Sequence, residues 1–328
     1  MIPLLAYIVR RVLLLIPTLL GIVFIIFTIM DLTPGSPAEI ILGQEATVEG
    51  IEKLNHELGY DKPYIVRYAN YVIDLFHGDM GNSYRSRRPV FQEIMLRFPT
   101  TVKLAFSAMT LSALLGVTLG VLSAVKQYSI GDIIGTVSAM LLASMPPFWL
   151  AMMSVLFFSL KLGWLPSTGS STWMHYILPS IALAIPGASV LLRLTRTNML
   201  ETIRQDYVRT AHAKGQRESK IIFRHALKNA LLPVVTVIGM DFGAHLGGTI
   251  VIEQVFSING VGTLLVDAIR MKDVPQVTGC ALLLALFFMI IMLIVDILYA
   301  YIDPRLRARY KSKGRKPSPI FRRRGRVK

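Results

Sequence analysis

The chain has 328 residues, 53% of them hydrophobic and 17% charged, with a mean hydropathy of +0.54. That balance excludes a domain for which water is the main solvent. A formal net charge of +15 would suggest nucleic acid in a soluble protein, but here Lys and Arg lie between and after long apolar runs. The charge reads as membrane topology, and nucleic acid is not expected as a partner.

A hydrocarbon core of ~30 Å takes roughly 20 helical residues. Six segments meet that requirement, near 10–31, 101–125, 133–160, 176–196, 230–254 and 278–301, and the expected fold class is an all-α integral membrane protein of six transmembrane helices. Arg10 and Arg11 precede the first run, which is too long for a signal-peptide core and has no small-residue cleavage site, so 1–31 is expected to stay attached as the N-terminus and first span. Prolines 17, 146, 147, 179 and 186 fall within spans, where a bundle tolerates them as kinks.

Residues 32–100 read as a folded extracytoplasmic insertion. Thr47 caps a helix whose face carries Ile51, Leu54 and Leu58, and Gly59 stops it. A second helix starts near Pro63, with Ile65, Tyr68, Val72 and Leu75 at helical spacing, and ends at Gly78. The turn-rich stretch that follows, with Gly78, Asp79, Gly81 and Ser83, is expected to cap the outer mouth; the alternative is a passive surface loop.

The densely basic segments 193–228 and 305–328 fall on one side of the six spans with Arg10, Arg11 and Lys126. The positive-inside rule then places both termini in the cytoplasm and leaves Lys161, Arg270 and Lys272 outside. Within the loop 197–229, Met199, Ile203, Tyr207 and Ala211 recur every four residues and predict one helix with a narrow apolar stripe, stopped at Gly215. A second helix, from about Glu218 to Asn229, groups Ile221, Ile222 and Phe223 where water should reach them. Such a pair docks in another protein's groove or lies on the lipid interface; periodicity leaves both open.

An ionisable group at bilayer depth costs roughly 2.5–3.5 kcal/mol on insertion scales, so those present should face protein or water. Asp241 and His245 stand one turn apart on one face of the fifth span. They line the pathway, bond to each other or a neighbouring helix as glue, or relay a proton. Glu253, at the end of that span, is a gate contact or a helix terminus, and the chain is expected to fold back after it at Asn259-Gly260-Val261-Gly262. Asp296, near the end of the last span, signals an ion pair with a basic neighbour. His212 and His225 read as surface or docking residues, and a lone Cys280 inside an apolar stretch builds neither a disulfide nor a metal site. No phosphate-cradling Gly-x-x-x-x-Gly-Lys-Ser/Thr loop, His-Glu-x-x-His or Gly-x-Ser-x-Gly occurs. The tail, 304–328, is too polar to form a core and is expected to be disordered, meeting anionic lipid headgroups or simply solvated, with nucleic acid contact the least favoured alternative.

Ordered motifs spread over most of the chain carry a resemblance. They include Arg10-Arg11, Leu32-Thr33-Pro34-Gly35-Ser36-Pro37, Glu57-Leu58-Gly59-Tyr60-Asp61-Lys62-Pro63, Gly163-Trp164-Leu165-Pro166, Asp206-Tyr207 with Thr210-Ala211-His212-Ala213-Lys214-Gly215, and Gly247-Gly248-Thr249-Ile250-Val251-Ile252-Glu253. The chain resembles binding-protein-dependent ABC importer permeases of the dipeptide, oligopeptide, nickel and glutathione branch, and is similar to the first of the two permeases in such systems. Arg209-Thr210-Ala211 stands where the wider superfamily has Glu-Ala-Ala, and Arg217 where relatives often have a capping serine.

The resemblance implies a type I importer transmembrane core over 101–303, working with a homologous second permease, two cytoplasmic ATPases and an extracytoplasmic solute-binding protein. It implies ATP and Mg on the partner subunits and no cofactor on this chain, which would be a transport subunit and no enzyme. It assigns ATPase coupling to Tyr207, Thr210, Ala211, Lys214, Gly215, Glu218, Ile222 and His225, and leaves Asp241, His245 and Glu253 as candidates for the pathway or gate. The solute would be a di- or oligopeptide, with nickel, a metal chelate or glutathione as alternatives. An ion-coupled secondary transporter is the rival reading; it calls for internal repeats and more intramembrane charge.

Overall fold

The computed structural model describes residues 2–43 and 46–302. The tail expected to be disordered, 304–328, lies outside the described residues. The first helix, α1 (Ile2–Leu32), carries Pro17 within it. Three short helices follow: α2 (Pro37–Leu42), α3 (Val48–Glu57) and α4 (Tyr64–Phe76). Ser36 Oγ accepts from the Glu39 amide at 3.2 Å while the Glu39 carboxylate accepts from the Ser36 amide at 2.9 Å, a reciprocal cap that fixes α2. Thr47 caps α3 as expected, accepting from the Gly50 amide at 3.2 Å, and Gly59 and Gly78 follow α3 and α4 with φ of +66° and +84°. α4 lies along α1: the Phe27 ring meets Tyr71 at 5.0 Å and Tyr68 at 5.9 Å, Thr28 Oγ1 is 2.9 Å from Tyr64 Oη, and Arg67 pairs with Asp31.

The next helix, α5 (Val90–Val125), begins before the expected second span, so 90–100 of the expected insertion is part of this helix. The expected third span is not one helix. α6 (Ile130–Ala143) and α7 (Pro147–Ser154), the latter prolonged by a π-helical stretch over Val155–Lys161, meet at 103°. Consecutive Pro146 and Pro147 explain the break: neither has an N–H to donate, each pushes its predecessor out of helical geometry, and Pro147 suits a new first turn.

The chain continues through a 3-10 turn (Trp173–Tyr176) into α8 (Ile177–Ile203), then α9 (Asp206–Ala213), one helical turn α10 (Glu218–Lys220) and a second π stretch (Ile221–Ala226). This runs without a break into α11 (Leu227–Val255), and α12 (Val261–Arg270) and α13 (Val274–Ile302) complete the described residues. Five of the described helices are long and apolar enough to cross a membrane, and the bent pair makes up to six.

The most extensive helix pair is α5 against α8. Small residues permit it: a Cβ added at Gly116 would lie 2.8 Å from the Ala188 carbonyl oxygen, and one at Gly120 2.7 Å from that of Leu192. α5 has no side chain at these two positions, so the backbone and the Leu191 and Thr195 side chains of α8 seat directly on it, as is common between membrane helices. A buried apolar cluster of Leu104, Ala108, Leu178, Ala182, Leu183, Ile252 and Phe256 ties α5, α8 and α11 together. At the other end of the bundle, Val121, Ala124, Met199, Ala226 and Ala230 form a second cluster with Ile222 packed on it.

Candidate functional site: the coupling segment and the polar groups of the bundle

The stripe from Met199 to Ala211 is not carried by a single helix. α8 ends at Ile203, Gln205 is extended (φ −74°, ψ 149°), and Asp206 opens α9, where an acid complements the positive helix end. Met199 is fully buried under the bundle, whereas Tyr207 is exposed on the separate helix. α9 packs through Val208 and Ala211 onto Ile221, a small cluster distinct from the bundle core. Gly215, at φ +69°, makes the left-handed turn between α9 and α10. The expected second helix does start at Glu218 but does not stop at Asn229, because it is continuous with α11.

Two contacts close this hairpin. His225 Nε2 is 2.9 Å from Gln216 Oε1, and Asn229 donates to the Tyr207 hydroxyl at 2.8 Å. Thr210 hydrogen-bonds back to the Asp206 carbonyl at 2.9 Å, Ile222 leans on the bundle, and Lys214, Gly215 and Glu218 are exposed. Of the expected coupling residues, Ala211 and Ile222 thus hold the hairpin to itself and to the bundle, and Tyr207, Thr210, Lys214, Gly215 and Glu218 face outward. Phe223 stands 63% exposed beside them, an apolar ring that nothing in the chain covers among the described residues.

Asp241 and His245 meet within the bundle. His245 Nε2 is 3.1 Å from Asp241 Oδ2 without an aligned hydrogen bond, and Ser112 on α5 donates to the same oxygen at 3.0 Å. The Asp241 carboxylate fills the space left by Gly187 on α8, so the pair joins three helices. Glu253 is fully buried. It accepts from Thr101 Oγ1 at 2.7 Å and from the Thr263 amide at 2.9 Å, while Thr101 accepts from the Val261 amide at 2.8 Å. The fold-back expected at Asn259–Gly262 is thus bolted to α5 through one carboxylate. Gly260 and Gly262 are the residues that leave room for it.

The turn after α4 is closed by its own backbone and the Asp79 side chain. Asp79 Oδ1 accepts from the Gly81 amide at 2.8 Å, the Gly81 carbonyl accepts from the Val90 amide at 3.0 Å, and Asn82 bridges Pro89. Ser83 is 3% exposed and donates to Asp273 Oδ2 at 2.5 Å, which fastens the turn to the start of α13. Among the described residues, no three His, Cys, Asp or Glu side chains cluster in a way that would hold a metal ion.

Residues 116–308 match the family described as "Binding-protein-dependent transport system inner membrane component", and residues 4–105 match its N-terminal part. The chain belongs to this permease family. It is 44% identical over 301 residues to the glutathione transport system permease protein GsiC of Pectobacterium atrosepticum, covering 92% of this chain and 98% of that protein. It is 41% identical to the dipeptide transport system permease protein DppB of Alkalihalophilus pseudofirmus, covering 92% and 99%. Solved structures of the MetNI methionine ABC transporter in inward-facing conformations share the fold, with TM-scores of 0.53 and 0.55 at 17% identity, over 65% of this chain and 97% of theirs. The protein is a multi-pass inner-membrane permease subunit of an ABC importer, and ATP hydrolysis falls to separate ATPase subunits.

In this permease three polar contacts escaped the sequence reading. Arg196 on α8 grips Asp132 at the start of α6 with two bonds, Nε to Oδ1 at 2.7 Å and Nη2 to Oδ2 at 2.8 Å, and the Tyr128 amide donates to the same carboxylate at 3.0 Å. Lys272, expected on the outside, is 2% exposed and donates to the carbonyls of Thr33 and Gly35, because the chain leaving α1 crosses over it. Asp273 draws in Ser83 and the Arg85 amide. The Arg11–Asp296 pair, at 2.8 Å, was foreseen in kind, as was the meeting of Asp241 with His245 and a neighbouring helix.

Proposed function

We propose that this permease pairs with a homologous second permease, two cytoplasmic ATPases that carry ATP and Mg, and an extracytoplasmic solute-binding protein, and that it moves a dipeptide or glutathione-like solute. Both termini lie in the cytoplasm, the insertion 32–100 lies outside, and the tail 304–328 rests on anionic headgroups. The reading rests on one observation: a glycine-jointed hairpin with its own apolar contacts, Val208 and Ala211 on Ile221, projects from the bundle with Tyr207 and Phe223 uncovered. Its second arm has no break before α11, so a push on it is carried into the helix that holds Asp241, His245 and Glu253. ATP-driven closure of the ATPases would rotate that arm as a rigid body.

Relatives named for glutathione and dipeptide support a solute with peptide bonds and charged ends. Asp241 and His245 are then the groups within the bundle that meet a charged terminus. Uptake of labelled dipeptide, glutathione and a nickel chelate in a deletion strain carrying this system decides the solute. In the same assay Ala211→Asp and Gly215→Pro abolish uptake while the chain still inserts; ATP-dependent uptake by both variants sinks the lever. If Asp241→Asn and His245→Ala leave uptake of every solute unchanged, the pair has no pathway role.

A further inference from the structure

A cavity of about 380 Å³ opens at the end of the bundle that carries the insertion, between α5, α12, the turn at Ser83–Ser86 and the start of α13. Roughly 300–1,000 Å³ is the usual range for a small-molecule site. Its walls bring together two guanidinium groups, Arg85 and Arg97, and two carboxylates, Glu93 and Asp267. None of the four side chains forms an ion pair with a described residue, although Glu93 and Arg97 are one turn apart on α5. The neighbouring carboxylate, Asp273, is already engaged by Ser83 and two backbone amides.

One further group lacks a partner. Gln276 lines the same cavity, is 2% exposed, and its carboxamide oxygen accepts no hydrogen bond from any described residue. Buried acceptors in folded proteins are almost always satisfied, so a donor is owed to this one. Charges of both signs held apart, with an amide acceptor on the first turn of α13, match a molecule that carries a carboxylate, an ammonium and peptide N–H groups.

We propose that this cavity is a solute subsite for short zwitterionic peptides, in which Arg97 and Arg85 take the carboxylate and Asp267 and Glu93 the ammonium. The proposal rests on the reading of the chain as a peptide-class permease. It places a weak holding site beside the insertion, separate from Asp241 and His245 inside the bundle. Charge-assisted bonds of this type are the ones whose loss is felt singly.

The test uses the complete permease–ATPase complex in nanodiscs, without binding protein, with radiolabelled alanyl-alanine and glutathione as probes in equilibrium dialysis. Saturable binding of at least one probe is expected. Arg97→Gln and Asp267→Asn each weaken it about tenfold, the equivalent of 1.4 kcal/mol, and Arg97→Lys restores part of the loss. An N-acetylated probe binds the unaltered complex about tenfold more weakly than the free-amine form, and Asp267→Asn abolishes that difference. ATP-driven uptake with binding protein is measured in parallel. Intact uptake with no binding in nanodiscs, or with binding unmoved by either variant, overturns the subsite alone. No uptake of either probe by the unaltered system overturns the peptide reading instead. Failure of the variants to assemble with the ATPases, with Arg97→Lys also failing, would show a structural role and overturn the subsite too.

Discussion

Replacing Arg196 by alanine strands the Asp132 carboxylate, whose side chain is 3% exposed, with only the Tyr128 amide and a 3.4 Å contact from Thr136. Removing one partner of a buried ion pair costs about 3–5 kcal/mol, roughly two to three and a half decades in the unfolding equilibrium. The reverse deletion is milder. Arg196 keeps 24% of its side chain exposed, so in Asp132→Ala the guanidinium turns to water and the loss is about 2–3 kcal/mol of charge-assisted bonds. The double variant therefore unfolds like Asp132→Ala and is more stable than Arg196→Ala by about 1–2 kcal/mol, since no orphan charge is left. Pulse proteolysis across a graded dodecyl sulfate series in mixed micelles reads all four proteins. A double variant that loses the sum of the two single losses would refute the reasoning, because the two side chains would then be independent.

Gly116→Ala and Gly120→Ala each drive a Cβ into a carbonyl oxygen of α8 and lose about 1–3 kcal/mol in the same assay, while Gly247→Ala, with nothing within 4 Å, is neutral. Lys272→Met leaves the carbonyls of Thr33 and Gly35 without their donor. A loss of about 1–3 kcal/mol follows, with faster limited proteolysis just after α1. At Gly215 the surroundings are open but φ is +69°, so the backbone and not space sets the tolerance. Gly215→Asn keeps uptake within about twofold, because asparagine enters the left-handed region, and Gly215→Val loses most of it.

Punctuation was the most legible part of the sequence. Thr47, Gly59, Pro63, Gly78 and Gly215 act through their own backbone or that of the next turn, and the helices begin and end where they stand. Long apolar runs likewise marked five continuous spans. What failed was a periodicity taken across a cap: Met199 and Ala211 keep helical spacing, yet an extended Gln205 puts them on different helices. The double proline was visible as a kink but not as a bend of 103°, since its angle is set by what the two halves pack against. Polar partners were the least legible. Asp132 and Arg196 are 64 residues apart and Ser83 and Asp273 are 190 apart, and a helical period tells which face a residue occupies without telling what that face meets.

A straight helix of 36 residues, the length of α5, measures about 54 Å, whereas the hydrocarbon layer is about 30 Å thick. Its charged residues, Glu93, Arg97 and Lys103, all lie in the first half and stand clear of the oil, which leaves the uncharged run 104–125, about 33 Å long, to cross it. The 24-residue apolar stretches Val9–Leu32 and Val274–Ile297, about 36 Å long, are matched to the layer about as closely. Lipids with longer or shorter acyl chains will therefore press on α1, α5 and α13 together, and α5 passes that pressure to α8, against which it packs most extensively.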